Sequence, residues 1–132
     1  MKKFCAVLLF MVFLFSMAGC NRISIGKDES ATLRFRGIVT GDTTKLTQVL
    51  TQEEASKVRE YLKSARLDGG IGGCPYDKDI SIAFGDQVFA IATDSCNTVW
   101  LVGSDKYYVV PQEGFDYIKS LFVKYVGYFP AP

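Results

Sequence analysis

The two apolar runs on either side of Gly85-Asp86 constrain the fold more than any other feature of the sequence. Ile80–Phe84 and Gln87–Thr93 are rich in β-branched and aromatic residues, and a Gly-X pair between such runs is typical of a two-residue hairpin turn. Glycine at the first turn position adopts the positive φ that a type II′ turn requires. The sequence therefore predicts an antiparallel hairpin in which Ile82 lies opposite Phe89.

Cys74 and Cys96 flank this hairpin. The register through Gly85-Asp86 places them one residue away from direct opposition, an offset that a single β-bulge or a loosened strand end would absorb. We therefore expect a disulfide between them, which would stabilise the fold by about 3 kcal/mol. A metal site is the alternative, but the chain has no histidine, so a tetrahedral site on two thiols would need two carboxylates as well.

The first twenty residues carry the features of an export signal. A short basic start precedes an apolar run from Phe4 to Ala18, which is shorter than the roughly 20 residues that span a bilayer. Ser-Met-Ala-Gly-Cys at 16–20 resembles the lipobox of bacterial lipoproteins, although Met17 stands where leucine is usual. The resemblance implies that residues 1–19 are a signal peptide and that Cys20 becomes the lipidated first residue of the mature chain. The alternatives are an uncleaved anchor helix and a signal peptide cleaved elsewhere.

The resemblance to lipoproteins also implies a location outside the cytoplasm, on the cell membrane or on an outer membrane. Each buried CH₂ group of an acyl chain contributes about 0.8 kcal/mol, so several chains together anchor a protein durably. Cys74 and Cys96 are the even pair that remains after Cys5 leaves with the signal and Cys20 is acylated, and an even pair in an exported chain favours a disulfide. We expect residues 20–30 to be a lipidated tether and residues 31–132 to form one domain.

The charge balance and the residue types argue against several classes of function. Residues 1–19 contain two of the 15 basic residues, so the mature chain would have 13 basic residues against 14 acidic ones. This balance favours neither nucleic acid nor anionic lipid as a partner. The chain lacks histidine, the commonest general base, and oxidised cysteines offer no thiolate nucleophile. We therefore predict a protein that is not an enzyme and that uses no cofactor.

Two segments have helical periodicity. Thr51-Gln52-Glu53-Glu54 is a capping box, and the apolar residues behind it recur at helical spacing, which predicts a helix over about 52–66. Apolar residues from Phe115 to Tyr125 repeat in the same way and predict a second helix, for which Gly127 is the expected stop.

The remaining segments are interpreted as strands and connections. Ala31–Thr40, Thr98–Val102 and Tyr107–Val110 are predicted strands, whereas Lys45–Leu50 fits either a short strand or an extended approach to the first helix. The glycine-rich stretch 68–73 lacks the Lys-Ser/Thr of a P-loop and is expected to be a helix cap followed by a connection. The order β(β)αββββα predicts an α+β domain, with an antiparallel sheet of four to five strands, two helices on one face and one disulfide.

The predicted hairpin has one face of large apolar residues and one face of small residues. We expect the large residues to pack under the two helices. The other face is a candidate surface for a protein partner in the cell envelope, because an antiparallel sheet can leave one face open. The residues of this face are Ser81, Ala83, Val88, Ala90 and Ala92. The six predicted surface residues are Ala83, Val88 and Ala90, bordered by Trp100, Val102 and Tyr108. The alternatives are that a helix or a loop covers the small residues, or that Trp100 lies in the core.

The same register places Asp77 opposite Asp94, with Asp79 two residues along, and like charges that face each other are unfavourable. Three explanations remain open. The strand ends splay near the cystine, Lys78 or an arginine neutralises the carboxylates, or a hard cation such as Ca²⁺ binds there, although no Asp-x-Asp-x-Asp-Gly loop is present. The last explanation gives a second function hypothesis, a small-ligand or metal-ion sensor that uses these three aspartates.

Three further motifs carry a second resemblance: Cys74-Pro75-Tyr76, Ala92-Thr93-Asp94-Ser95-Cys96 and Tyr107-Tyr108. With them, the mature domain resembles small exported domains of uncharacterised function found in bacterial lipoproteins, over most of residues 32–125. These motifs are structural, so the resemblance implies a cystine hairpin and no activity. The sequence therefore predicts a membrane-anchored, non-catalytic binding module of the cell envelope.

Overall fold

A computed structural model of the chain describes residues 22–37, 41, 43–68 and 73–130. Within these ranges the strands are β1 (Ala31–Arg36), β2 (Lys45–Val49), β3 (Arg66–Leu67), β4 (Tyr76–Phe84), β5 (Gln87–Ala92), β6 (Thr98–Leu101) and β7 (Tyr107–Val109), and the helices are α1 (Gln52–Lys63) and α2 (Gln112–Val126). The strands form one antiparallel sheet in the order β2-β1-β4-β5-β6-β7-β3. The predicted α+β class is confirmed.

The sheet has more strands than the four to five that the sequence predicts. The ambiguous stretch before the first helix is strand β2, which pairs with β1 at one edge. At the other edge, the two-residue strand β3 pairs with β7, and two residues are too few to show a periodicity in the sequence. Helix α1 ends at Lys63, three residues before the predicted end, because Arg66–Leu67 joins the sheet.

The central hairpin forms around the predicted turn. Gly85 has a φ of 54° and Asp86 has no positive φ, as a type II′ turn requires, and Ile82 pairs with Phe89. The register then shifts, because the next pair is Tyr76 with Ala92 rather than a pair in the same register. From the pair of Ser81 with Ala90 to this one, β4 advances five residues while β5 advances two.

This irregularity in β4 is larger than the single bulge expected from the sequence. Two local hydrogen bonds stabilise it: the Asp79 N–H donates to the Asp77 carboxylate at 2.9 Å, and the Ser81 hydroxyl donates to the Lys78 carbonyl at 2.8 Å. Such side-chain to backbone bonds compete with the sheet ladder. The predicted disulfide between Cys74 and Cys96 is confirmed, with the two Cα atoms 6.4 Å apart.

The core lies between the helices and one face of the sheet. The large residues of the hairpin are at most 1% exposed, as predicted for the face under the helices, and each contributes about 1.5–3 kcal/mol on burial. These residues are Ile80, Ile82, Phe84, Phe89 and Ile91. The helices contribute Val58 and Leu62 from α1 and Phe115, Ile118 and Phe122 from α2.

The segment before β1 also contributes to the core. Ile23 and Ile25 are each 5% exposed and belong to the core cluster, whereas Ser24 between them is exposed. An alternation of this kind buries every second side chain of an extended segment. The expectation that residues 20–30 act only as a tether is therefore wrong for these two isoleucines. The predicted signal peptide over 1–19, Cys20 and residues 69–72 of the glycine-rich stretch lie outside the described residues.

The capping box of α1 is confirmed and also links the two helices. The Thr51 hydroxyl accepts a hydrogen bond from the Glu54 N–H at 3.2 Å, and the Glu54 carboxylate accepts one from the Thr51 N–H at 3.0 Å. The same carboxylate pairs with the Lys124 ammonium and accepts from the Tyr125 hydroxyl at 2.8 Å. Burial raises the pKa of Glu54, but the hydrogen bonds from Lys124, Thr51 and Tyr125 outweigh it and lower that pKa to about 2.

Candidate functional site

The sheet has a second face, opposite the core. Both described helices pack on the core face, whereas Ala83 and Ala90 lie on the second face, outside the core cluster. These two alanines are nevertheless only 4% and 0% exposed, and they lie opposite Val88 and Trp100, respectively. The second face therefore combines small, buried residues with larger residues that are partly exposed.

Three aromatic side chains lie on this face, and we refer to Tyr76, Trp100 and Tyr107 as the aromatic patch. Trp100 and Tyr107 are directly opposite each other on β6 and β7, with ring centroids 6.3 Å apart and ring planes at 19°. The Tyr76 ring lies 5.4 Å from that of Tyr107 and 6.3 Å from that of Trp100. All three residues are half-buried, so part of each remains accessible to solvent.

The polar atoms of two of these rings are already bonded within the protein. The indole N–H of Trp100 donates to the Ser104 carbonyl at 2.9 Å, and the Tyr76 hydroxyl is 2.6 Å from the hydroxyl of the buried Thr98. These bonds hold the two rings in place. Rigid aromatic side chains lose little conformational entropy when they contact a partner, so the patch is preorganised for binding.

The Tyr76 hydroxyl of the aromatic patch is uncharged near neutral pH. Burial raises the pKa of the Tyr76 hydroxyl against the opposing effect of its bond to Thr98, and Tyr107 together with the carboxylates of Asp94 and Asp68 raises it further. Tyr76 is therefore protonated at physiological pH. Tyr76 therefore presents a neutral ring, with the carboxylates of Asp94 and Asp68 nearby.

The structure places five of the six predicted surface residues on the second face. Trp100, Ala83, Val88 and Ala90 lie there by their pairing, and so does Val102, whose N–H donates to the Val88 carbonyl at 2.9 Å. Trp100 is half-buried rather than in the core.

The sixth predicted surface residue, Tyr108, is on the other face of the sheet. It pairs with Val99 and is 3% exposed in the core under the helices, so its assignment to the partner surface is wrong. Because successive side chains of a strand point to opposite faces, the neighbouring Tyr107 is the residue beside Trp100. Sequence reasoning also missed Tyr76, which the irregularity in β4 brings opposite Ala92.

The three aspartates of the proposed ion-sensing site, Asp77, Asp79 and Asp94, are held by different partners. Arg36 of β1 pairs with the Asp79 carboxylate at 3.1 Å and with the Asp77 carboxylate at 3.7 Å, so an arginine neutralises these two. Asp94 is not opposite Asp77, because the register has shifted, and it accepts a hydrogen bond from the Cys96 N–H at 2.9 Å.

No cation site forms from these aspartates among the described residues. The potential metal ligands that cluster there are Cys74, Asp94 and Cys96, and both sulfurs are engaged in the disulfide. A sulfur in a disulfide is not the thiolate that binds metal. The hypothesis of a metal-ion sensor gains no support from this geometry.

Comparison of the chain with protein-family models, with curated proteins and with solved structures finds no match. Neither helix in the described part of the chain is long and apolar enough to cross a membrane.

Proposed function

We propose that this protein is an exported lipoprotein, anchored to a membrane of the cell envelope through Cys20, and that its aromatic patch binds a protein partner there. Two features support the export and anchoring. The segment Ser16–Cys20 resembles a lipobox, and a disulfide such as Cys74–Cys96 persists in oxidising compartments and is rare in the cytosol. The described part of the chain contributes the binding domain and the lipid contributes the attachment.

The aromatic patch is the observation that carries the binding role. Trp and Tyr are enriched among the residues that dominate the binding energy of protein interfaces, and such residues cluster in preorganised, apolar surroundings. Trp100 and Tyr107 are stacked side by side, the residue opposite Trp100 on β5 is the small Ala90, and the two described helices pack on the other face of the sheet. The protein acts by contact rather than by catalysis, since the chain has no histidine and its described cysteines are oxidised.

Photo-cross-linking in intact cells tests the binding role. A photoreactive phenylalanine replaces Tyr107 in one variant and Tyr117 of α2, another half-buried tyrosine, in a matched control. We expect an adduct of defined mass from position 107 and none from position 117, and we expect Trp100→Ala to remove that adduct while the protein remains folded. Equal adducts from both positions, or an adduct from position 117 alone, would place the partner elsewhere and contradict the proposal.

Metabolic labelling with an alkyne analogue of palmitate tests the anchor. We expect the purified protein to carry the label and to begin at Cys20 in mass spectrometry of its N-terminal peptide. The label should be lost in Cys20→Ala and retained in Cys5→Ala, because Cys5 lies within the predicted signal peptide. Persistence of the label in Cys20→Ala would refute the lipid attachment without affecting the assignment of the binding surface.

A further inference from the structure

A cavity of about 260 Å³ lies between α1 and the segment that precedes β1. Gln52, Ala55, Ser56 and Arg59 form its helical wall, because their spacing places them on one side of α1. Residues 27–30 and Leu50 form the rest of the wall. The cavity shares no residue with the aromatic patch, and its volume suits a small molecule.

Arg59 is a buried cation without a counterion at this cavity. The residue is 9% exposed, and its guanidinium makes no ion pair with any carboxylate in the described part of the chain. One Nη2–H donates to the Glu29 carbonyl at 2.6 Å, while the buried Nε–H makes no hydrogen bond. The Phe84 ring lies 5.6 Å from the guanidinium carbon.

Such an arrangement is unusual for a buried charge. Buried guanidinium groups are ordinarily paired with carboxylates or phosphates, because desolvation of an unpaired charge is costly. One backbone carbonyl and one aromatic ring offset only part of that cost. An anion would supply the counterion that Arg59 lacks. The cavity is the space beside Arg59 that such an anion could occupy.

We propose that this cavity binds a small molecule through a carboxylate group, which Arg59 neutralises. The planar guanidinium matches the geometry of a carboxylate. The wall also carries Lys27, Asp28 and Glu29, and the two acidic residues would repel a dianionic phosphate more strongly than a monoanionic carboxylate. Ser30 and Ser56 also line the cavity, and their hydroxyl groups are of the kind that would hydrogen-bond the rest of the ligand.

Nuclear magnetic resonance of the purified, disulfide-intact protein tests the site with sodium acetate as the probe, against sodium chloride at equal ionic strength. Acetate is expected to shift the Arg59 Nε–H resonance and the amide resonances of residues 27–30 in a saturable manner. Sodium phosphate is expected to bind at least tenfold more weakly. A response to acetate that stays linear and equals that of chloride would overturn the site, and tighter binding of phosphate would overturn the ligand class.

Two variants separate binding from a purely structural role of Arg59. Arg59→Met removes the charge and keeps most of the side-chain volume, and we expect it to weaken acetate binding at least tenfold. Ser56→Leu keeps Arg59 and fills the cavity from the same side of the helix, so it should weaken binding equally and serves as the second test if the methionine variant does not fold. Unchanged acetate affinity in either folded variant would contradict the proposal.

Discussion

Replacement of Glu54 by glutamine removes the charge that links the two helices and leaves most of the local hydrogen bonding intact. A glutamine side-chain oxygen still accepts from the Thr51 N–H, since Glu and Gln both serve in capping boxes, and it still accepts from the Tyr125 hydroxyl. Its amide nitrogen then faces the Lys124 ammonium and cannot accept a hydrogen bond from it. The substitution therefore isolates the contribution of the ion pair and of the charged hydrogen bonds.

The pKa of Glu54 sets the size and the pH range of this effect. Burial raises this pKa, but the bonds from Lys124, Thr51 and Tyr125 outweigh it and lower the pKa from 4.5 to about 2. At about 1.4 kcal/mol per pKa unit, and with a discount because Lys124 is largely exposed to solvent, the charge contributes about 2 kcal/mol to the free energy of unfolding. Because the pKa is lower in the folded state, this contribution is complete above pH 4.5 and is lost as the pH falls towards 2.

Urea unfolding followed by circular dichroism at pH 7, 4 and 2.5 measures this contribution. We expect Glu54→Gln to be less stable than the wild type by about 2 kcal/mol at pH 7, with a difference that shrinks at the lower pH values. Glu53→Gln is the matched control, since Glu53 is 81% exposed and its pair with Lys57 is worth at most about 0.5 kcal/mol. Equal losses in the two variants, or a loss for Glu54→Gln that does not change with pH, would refute this reasoning.

Three further experiments test the fold. Replacement of both cysteines of the Cys74–Cys96 bridge by alanine should lower the free energy of unfolding by about 3 kcal/mol, as urea titration would show, and a loss near zero would contradict the expected role of the bridge. Gly85→Ala should cost about 1 kcal/mol or more because of the positive φ of 54°, whereas Gly73→Ala, whose added Cβ meets open space, should be nearly neutral in the same titration. Tyr108→Ala should lower the thermal midpoint strongly and Tyr107→Ala only slightly, because Tyr108 is in the core and Tyr107 is on the second face of the sheet. The reverse order would refute the register of β7.

The features that the sequence predicts correctly depend on neighbouring residues. The turn at Gly85-Asp86 follows from the conformational freedom of one glycine, and the capping box at Thr51–Glu54 follows from two side chains three residues apart. The end of α2 at Gly127, which has a φ of 101°, is likewise a local property. Such features need no knowledge of the rest of the fold.

The features that the sequence leaves undetermined depend on contacts between distant segments. Arg36 neutralises Asp77 and Asp79 because β1 lies beside β4 in the sheet, an order that the pattern of either strand does not specify. The sequence-based prediction places Tyr108 rather than Tyr107 on the second face of the sheet. This is an error of one residue in the phase of a three-residue strand. A strand so short fits either phase, and the difference moves every side chain to the opposite face.

The position of Tyr76 in the aromatic patch was undetermined for a related reason. Its place beside Trp100 depends on the extra residues in β4, which local hydrogen bonds of Asp77 and Ser81 stabilise at the expense of regular pairing. A regular hairpin, which the sequence predicts, has no such irregularity. The aromatic patch is therefore visible only when the register of β4 is known.

Hydroxyl-radical footprinting in intact cells tests the central claim, that the aromatic patch is a contact surface, most directly. Oxidation of Tyr107 is measured by mass spectrometry in cells and in the purified protein, with the half-buried Tyr117 on the helical side as the internal reference. We predict that Tyr107 is oxidised several-fold more slowly in cells than in the purified protein while Tyr117 reacts at the same rate in both. Equal oxidation of Tyr107 in the two settings would show that nothing covers the patch in the cell and would contradict the proposed function.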